Sequence, residues 1–189
     1  MLQINDLTFR IDGRALFDAA SAQIADGWKV GLVGRNGTGK STLLRIMREE
    51  IAKGDAGDGS IRINRGAKMG FVAQEVAASN ETLLDVVLEA DIERASLMRE
   101  ADTCEDPMRI GDIHARLADI DAWSGEARAA EILVGLGFTQ NDLSRACKEF
   151  SGGWRMRAAL GGVLFARPDL LLLDEPTNYL DLEGALWLE

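Results

Sequence analysis

The chain has 189 residues, a formal net charge of −10 and a pI near 4.7, with 47% hydrophobic and 28% charged residues. This composition excludes a disordered chain, and the acidic field excludes nucleic-acid binding through overall charge. No apolar run approaches the ~18 residues of a bilayer span, and the start, MLQINDLTFR, lacks the basic-then-apolar order of a signal peptide.

Residues 2–9 alternate apolar and polar (Leu2, Ile4, Leu7, Phe9) and predict a strand with room for a bulge. Asp12-Gly13 marks a turn, and residues 15–25 resume as an extended segment up to Asp26-Gly27. Lys29 to Val33 reads as a short apolar strand, and residues 40–51 carry helical spacing (Leu43, Leu44, Met47, Ile51). The run GDAGDGS at 54–60 reads as a loop, followed by strands at 61–63 and 68–73. Residues 81–122 predict a helical hairpin broken around Glu105-Asp106-Pro107, and 123–149 predict short helices. A helix over 153–166 stops at Pro168-Asp169, and Leu170 to Leu173 has the length and flanks of a fully buried strand. Alternating strands and helices give an α/β fold with a helical insertion.

Gly34-Arg35-Asn36-Gly37-Thr38-Gly39-Lys40-Ser41 matches the phosphate-loop pattern G-x-x-x-x-G-K-[ST] in full, between a predicted strand and a predicted helix. Backbone N–H groups of such a loop surround a phosphate, and the helix N-terminus adds its positive dipole end. Lys40 is placed to reach β- and γ-phosphates, and the Ser41 hydroxyl to ligate Mg²⁺. In Leu170–Glu175, LLLLDE, a strand carries Asp174 to its end, where a carboxylate holds Mg²⁺ through water. Glu175 follows, placed to orient or deprotonate an attacking water. Taken alone, four apolar residues and an Asp are a weak signal; with the loop they are a strong one. Phe150–Arg157, FSGGWRMR, has a Ser-Gly-Gly turn leading into an arginine-bearing helix, which suggests a second grip on an anion. Locally it reads as an N-cap at Ser151.

GRNGTGKS, then Gln74 at a strand end (FVAQE), then FSGGWRMR, then LLLLDEPTNYLD resemble, in that order, the motifs of the ATP-binding cassette ATPases. SGGWRMR and a glutamate followed by PTNxLD are similar to the ABC-F class, whose members carry two cassettes on one chain and act on the ribosome or in translation control. The resemblance implies a P-loop NTPase cassette core with mixed sheet, plus a helical subdomain and a helical arm insertion. It implies an N-terminal cassette over 1–189, truncated at its C-terminus: 1–75 the first part of the core, 76–122 the arm, 123–166 the helical subdomain with the signature motif, and 167–189 the Walker B strand and D-loop. ATP and Mg²⁺ are the implied cofactors. Gly34, Arg35, Asn36, Gly37, Thr38, Gly39, Lys40, Ser41 and Thr42 would hold nucleotide; Ser41, Gln74 and Asp174 would hold the metal; Glu175 and Gln74 would serve catalysis. Ser151, Gly152 and Gly153 would cap the γ-phosphate bound by a second cassette, so FSGGWRMR is half of a shared site. The implied partners are that cassette and the ribosome, in the cytoplasm.

Several residues depart from the family pattern. His114, the one histidine, lies upstream of the position of the switch histidine and reads as an exposed arm residue. Tyr179 stands where ABC-F proteins commonly carry histidine. Ile11 aligns with the adenine-stacking aromatic but lacks a π-system, while Phe9 and Phe17 are expected to face the core. Cys104 and Cys147 match no metal spacing and read as reduced thiols. Residues 81–122 hold twelve acids and four arginines, a net −8, which reads either as a solvated hairpin or as an arm that contacts protein. Two other functions share these motifs: the ATPase subunit of a membrane transporter, and a nucleotide-dependent binding switch.

Overall fold

The computed structural model describes residues 2–53, 60–72, 77–178, Leu180 and Gly184. The chain forms two compact units, one of residues 1–69 with 168–174, the other of 70–167 with 175–189.

The first unit is built on two long antiparallel strands, β1 (Leu2–Ile11) and β2 (Arg14–Ile24), joined at Asp12-Gly13. Both turn residues sit in the left-handed region, φ 49° and 79°, which Asp and Gly tolerate best. The expected irregularity is present. Register shifts interrupt the β1–β2 ladder between Ile4 and Arg10, with Asp6 and Ala19 at φ 47° and 49°. Side chains bridge the gaps: the Asp6 N–H donates to Ser21 Oγ at 3.0 Å and the Ala19 N–H to Thr8 Oγ1 at 3.0 Å.

A short third strand, β3 (Ile61–Ile63), pairs antiparallel with the start of β1, giving the order β2-β1-β3. Helix α1 (Lys40–Ala52) turns Ile46 and Met47 inward, onto Leu2, Ile4, Leu7 and Ile61. Phe9 and Phe17 face each other across β1 and β2 and pack against that core, as strand alternation predicts. β4 (Met69–Phe71) pairs with β5 (Leu170–Leu172). The pairing is anchored where the Asp169 N–H donates to the Lys68 carbonyl at 2.8 Å and the Lys68 N–H to the Asp169 carboxylate at 2.8 Å.

Two expectations fail in this unit. Lys29 to Val33 forms no strand, and its apolar side chains are exposed: Val30 57%, Leu32 46%, Val33 90%, with Trp28 before them at 66%. An extended backbone becomes a strand only when neighbours take its N–H and C=O groups, and no described strand lies beside this one. The Leu170–Leu173 run is likewise buried only in part. Leu172 reaches the core while Leu170 and Leu171 stay half-buried.

The second unit is helical: α2 (Leu83–Glu89), α3 (Ile92–Thr103), α4 (Pro107–Asp119), α5 (Gly125–Gly135) and α6 (Gly152–Phe165). Its helix starts are written in side chains. Thr82 and Asp85 form a reciprocal capping box at α2, Asp91 caps α3, and Asp106 with Pro107 at the first position opens α4. The expected break at 105–107 is therefore joined by a second at Ala90-Asp91. Gly161 and Gly162 let α6 lie close to α2; a Cβ on Gly162 would come within 2.9 Å of the Ala90 Cβ. No described helix is long and apolar enough to cross a membrane.

Candidate functional site

The phosphate loop owes its shape to glycines and to β2. Gly37 and Gly39 lie at φ 78° and 100°, where a Cβ is unfavourable. Gly39 is constrained twice, because an added Cβ would lie 2.0 Å from Leu16 Cδ2 and 3.3 Å from Phe17 Cζ. These two side chains of β2 press on the loop from the core side. Nothing in the pattern of β2 announces that contact, since Leu16 reads only as a strand residue and Phe17 as one facing the core.

Inside the loop, Thr38 donates from its N–H (3.3 Å) and its hydroxyl (2.8 Å) to the Arg35 carbonyl. Lys40 Nζ donates to the carbonyls of Gly34 at 2.9 Å and Arg35 at 3.2 Å. The ammonium is thus held over the loop that the motif predicts will receive phosphate. Gly39 is the N-cap residue of α1 with no side-chain cap, and no acid stands in the first turn to compete for the helix end. Ser41 and Thr42 follow in that first turn.

Asp174, at the end of β5, is half-buried, and Glu175 is exposed. Glu175 adopts φ 46°, an uncommon conformation for a non-glycine residue, directly before Pro176. A 3₁₀ turn, Pro176–Asn178, follows, and the Asn178 N–H donates to the Glu175 carbonyl at 3.0 Å. Asn178 Nδ2 also donates to Glu175 Oε2 at 2.8 Å. Side chains three apart eclipse in a 3₁₀ turn, so the spacing of Glu175 and Asn178 signals this pair, but reading the motif for its acids alone misses it. Leu180, buried, donates its N–H to the Pro176 carbonyl and anchors the turn.

At FSGGWRMR the structure separates two roles the sequence had merged. Arg155 donates to the Phe150 carbonyl at 2.7 Å. Arg157 lies over the Trp154 ring at 4.5 Å and within 3.4 Å of the Leu136 carbonyl. Both arginines are thus engaged within their own unit, and the Ser-Gly-Gly turn is the part of the motif left open. Ser151 is the N-cap of α6 by backbone geometry, yet its side chain makes no cap hydrogen bond, contrary to the plain N-cap expected. A Cβ on Gly152 or Gly153 would meet nothing within 4 Å. The hydroxyl and the two glycines together present an open edge.

Ile11 is 37% exposed at the end of β1. Gln74, Tyr179 and Asp181 lie outside the described residues. His114 is exposed, as expected, and stacks on Trp123 with centroids 6.1 Å apart at 18°. In the acidic 81–122 segment all four arginines are engaged internally: Arg94 with the Ala122 carbonyl, Arg99 with the Ala95 carbonyl, Arg109 with Glu100 and Arg116 with Glu93. Among the described residues no group of three or more His, Cys, Asp or Glu forms a metal site. One hydroxyl at Ser41 and one carboxylate at Asp174 suit a hard cation that takes its other ligands from phosphate and water.

Residues 17–178 match the ABC transporter family model. Over its whole length the chain is 45% identical to the probable ATP-binding protein YheS of Escherichia coli K12. It is 41% identical to ABC transporter F family member 3 of Arabidopsis thaliana and to ATP-binding cassette sub-family F member 3 of Homo sapiens. It spans 30%, 29% and 27% of those proteins. Among solved structures, an ATP-binding subunit of an ABC transporter aligns at a TM-score of 0.66 and 19% identity, covering 99% of this chain and 71% of that one. The cassette MJ0796, in a dimeric post-hydrolysis state bound to ADP and Pi, aligns at 0.62 and 21%, covering 100% and 79%. These likenesses confirm the α/β P-loop cassette fold, and with the family match over the phosphate loop and β5 they show that the chain belongs to the ATP-binding cassette family, with F-family members among its relatives.

Proposed function

We propose that this cassette binds ATP with Mg²⁺ and contributes to its hydrolysis in an ABC-F type protein acting on the ribosome or in translation control. The observation that carries the nucleotide reading is the loop itself: Gly39 wedged against Leu16 and Phe17, with Lys40 held over the Gly34 and Arg35 carbonyls. Gly34 to Thr42 would wrap the phosphates, and Ile11 would lie against the base. Ser41, Asp174 and Gln74 would hold Mg²⁺, which when bound neutralises charge on the β- and γ-phosphates. Glu175 would take the proton of a water whose oxygen attacks the γ-phosphorus as the bond to the bridging oxygen breaks.

The open edge of Ser151, Gly152 and Gly153 supports the second half of the reading. A free hydroxyl and unobstructed glycine backbone fit a phosphate brought by another cassette. The dimeric state of the neighbour MJ0796 is in keeping with such pairing. The ribosomal setting rests on the resemblance of SGGWRMR and the PTNxLD pattern to the ABC-F class.

The test is calorimetry of ATP·Mg²⁺ binding. Lys40→Ala should weaken binding strongly, because it removes the cation nearest the terminal phosphates. Equal affinity in the variant overturns the nucleotide assignment.

A further inference from the structure

We infer that Asn178 is a positioning residue for the Glu175 carboxylate, an inference that rests on the reading of Glu175 as the base. Three observations converge on it. Glu175 sits at φ 46° directly before a proline, a backbone state that a non-glycine residue holds only when its surroundings fix it. The Asn178 backbone closes the turn on the Glu175 carbonyl at 3.0 Å, and its side-chain amide reaches Oε2 at 2.8 Å. The buried Leu180 then ties the turn down through Pro176.

The consequence is a division of labour between the two carboxylate oxygens. Oε2 is taken by the Asn178 amide, while Oε1 has no partner among the described contacts. An exposed glutamate has three side-chain torsions and spreads over many rotamers. One directional hydrogen bond from a residue fixed by its own backbone selects among them and turns the second oxygen outward, toward a water. A proton acceptor must be held within hydrogen-bond reach of its proton, and a displacement of about 1 Å can cost about a hundredfold in rate. The amide therefore bears on the chemical step and leaves nucleotide affinity to the phosphate loop.

The test uses the protein as its gene encodes it, with steady-state ATP hydrolysis and calorimetric ATP affinity measured side by side. Asn178→Leu, close in shape but without a donor, should lower kcat by about ten- to a hundredfold while ATP affinity stays within about twofold. Asn178→Gln, which keeps the amide, should recover most of the rate. In a Glu175→Gln background, Asn178→Leu should lower the residual rate no further, because two residues acting as a unit are not additive. If Asn178→Leu loses ATP binding through misfolding, Asn178→Asp, of the same size, takes its place.

An unchanged or raised kcat in Asn178→Leu, when Glu175→Gln is inactive, overturns the inference and leaves the base in place. An equal loss in the Glu175→Gln background assigns Asn178 to loop support instead. Full activity in Glu175→Gln itself overturns the base reading, and with it this one.

Discussion

Arg94 Nε donates to the Ala122 carbonyl at 3.1 Å, tying the first turn of α3 to the turn that follows α4. Arg94 is only 9% exposed, the one buried charged residue among those described. Its guanidinium also sets the identity of a neighbour. A Cβ on Gly125, the first residue of α5, would lie 2.6 Å from Arg94 Nε and 3.0 Å from Cζ. Gly125→Ala should therefore displace the guanidinium, break its bond to Ala122 and destabilise the helical unit by about 1.5–3 kcal/mol, the range for a hydrogen bond to a charged group. Arg94→Met should cost a similar amount, and the double variant should cost less than the two added together. Urea unfolding followed by circular dichroism measures all three, and strict additivity would refute the linkage.

Gly39→Ala tests the loop from the core side. The variant meets a left-handed backbone, φ 100°, and a 2.0 Å clash with Leu16. The strain and overpacking together should cost about 2–4 kcal/mol. Leu16→Ala in the same chain should restore part of it by opening space. Thermal melting gives the stability, and calorimetry should show ATP binding lost in the single variant and partly regained in the double one.

Acid should loosen the stretch before α6. Thr139 donates to Asp142 through its hydroxyl and its N–H, and Arg145 adds a third contact; these hold the Asp142 carboxyl below its usual range. Because its value in the folded chain lies below that in the unfolded chain, the ionised form favours folding. The gain is complete above the unfolded value of about 3.9 and is lost as pH falls through the folded one. Asp142→Asn should lower stability at neutral pH by the contribution of these contacts, and should flatten the acid limb of the stability curve below about pH 4. An acid limb identical to that of the parent chain would contradict this.

Ser151→Arg addresses the open edge of α6. If FSGGWRMR completes a site on another cassette, the hydrolysis rate per molecule of this chain alone should climb with protein concentration. The substitution should abolish that climb while ATP affinity, a property of the phosphate loop, is retained. A brisk rate independent of concentration in the parent chain would show that the single cassette is sufficient.

Where the sequence was legible, the reason was local. The phosphate loop announced itself because its glycines answer to backbone angles that only they adopt freely, and Gly37 and Gly39 sit at such angles. The helices of the second unit start where short polar side chains meet the first turn, as at Asp106-Pro107. What stayed hidden was set by contacts distant in sequence or by competition among partners. Nothing in Leu16 or Phe17 reveals that they press on Gly39. Nothing in the sequence says that Arg155 takes the Phe150 carbonyl or that Arg157 lies over the Trp154 ring. Lys29 to Val33 has the pattern of a strand, but a strand is a property of a pair, and periodicity reads only one member.

That last segment has a mechanical meaning for the loop it feeds. On its far side the loop runs straight into α1 and is jammed at Gly39 against β2; on its near side it hangs from Trp28–Val33, which has no described ladder on either flank. Among the described residues, the loop is therefore held by packing at its α1 end and by no strand pairing where it is entered. Hydrogen exchange should show the contrast directly, with amides at 29–33 exchanging fast and those of the middle of α1 slowly. A backbone laid along Val30–Val33 would supply that pairing. Stiffening the loop would lower the entropy lost when phosphate settles into it, so the grip on nucleotide would tighten without any change in the residues that touch it.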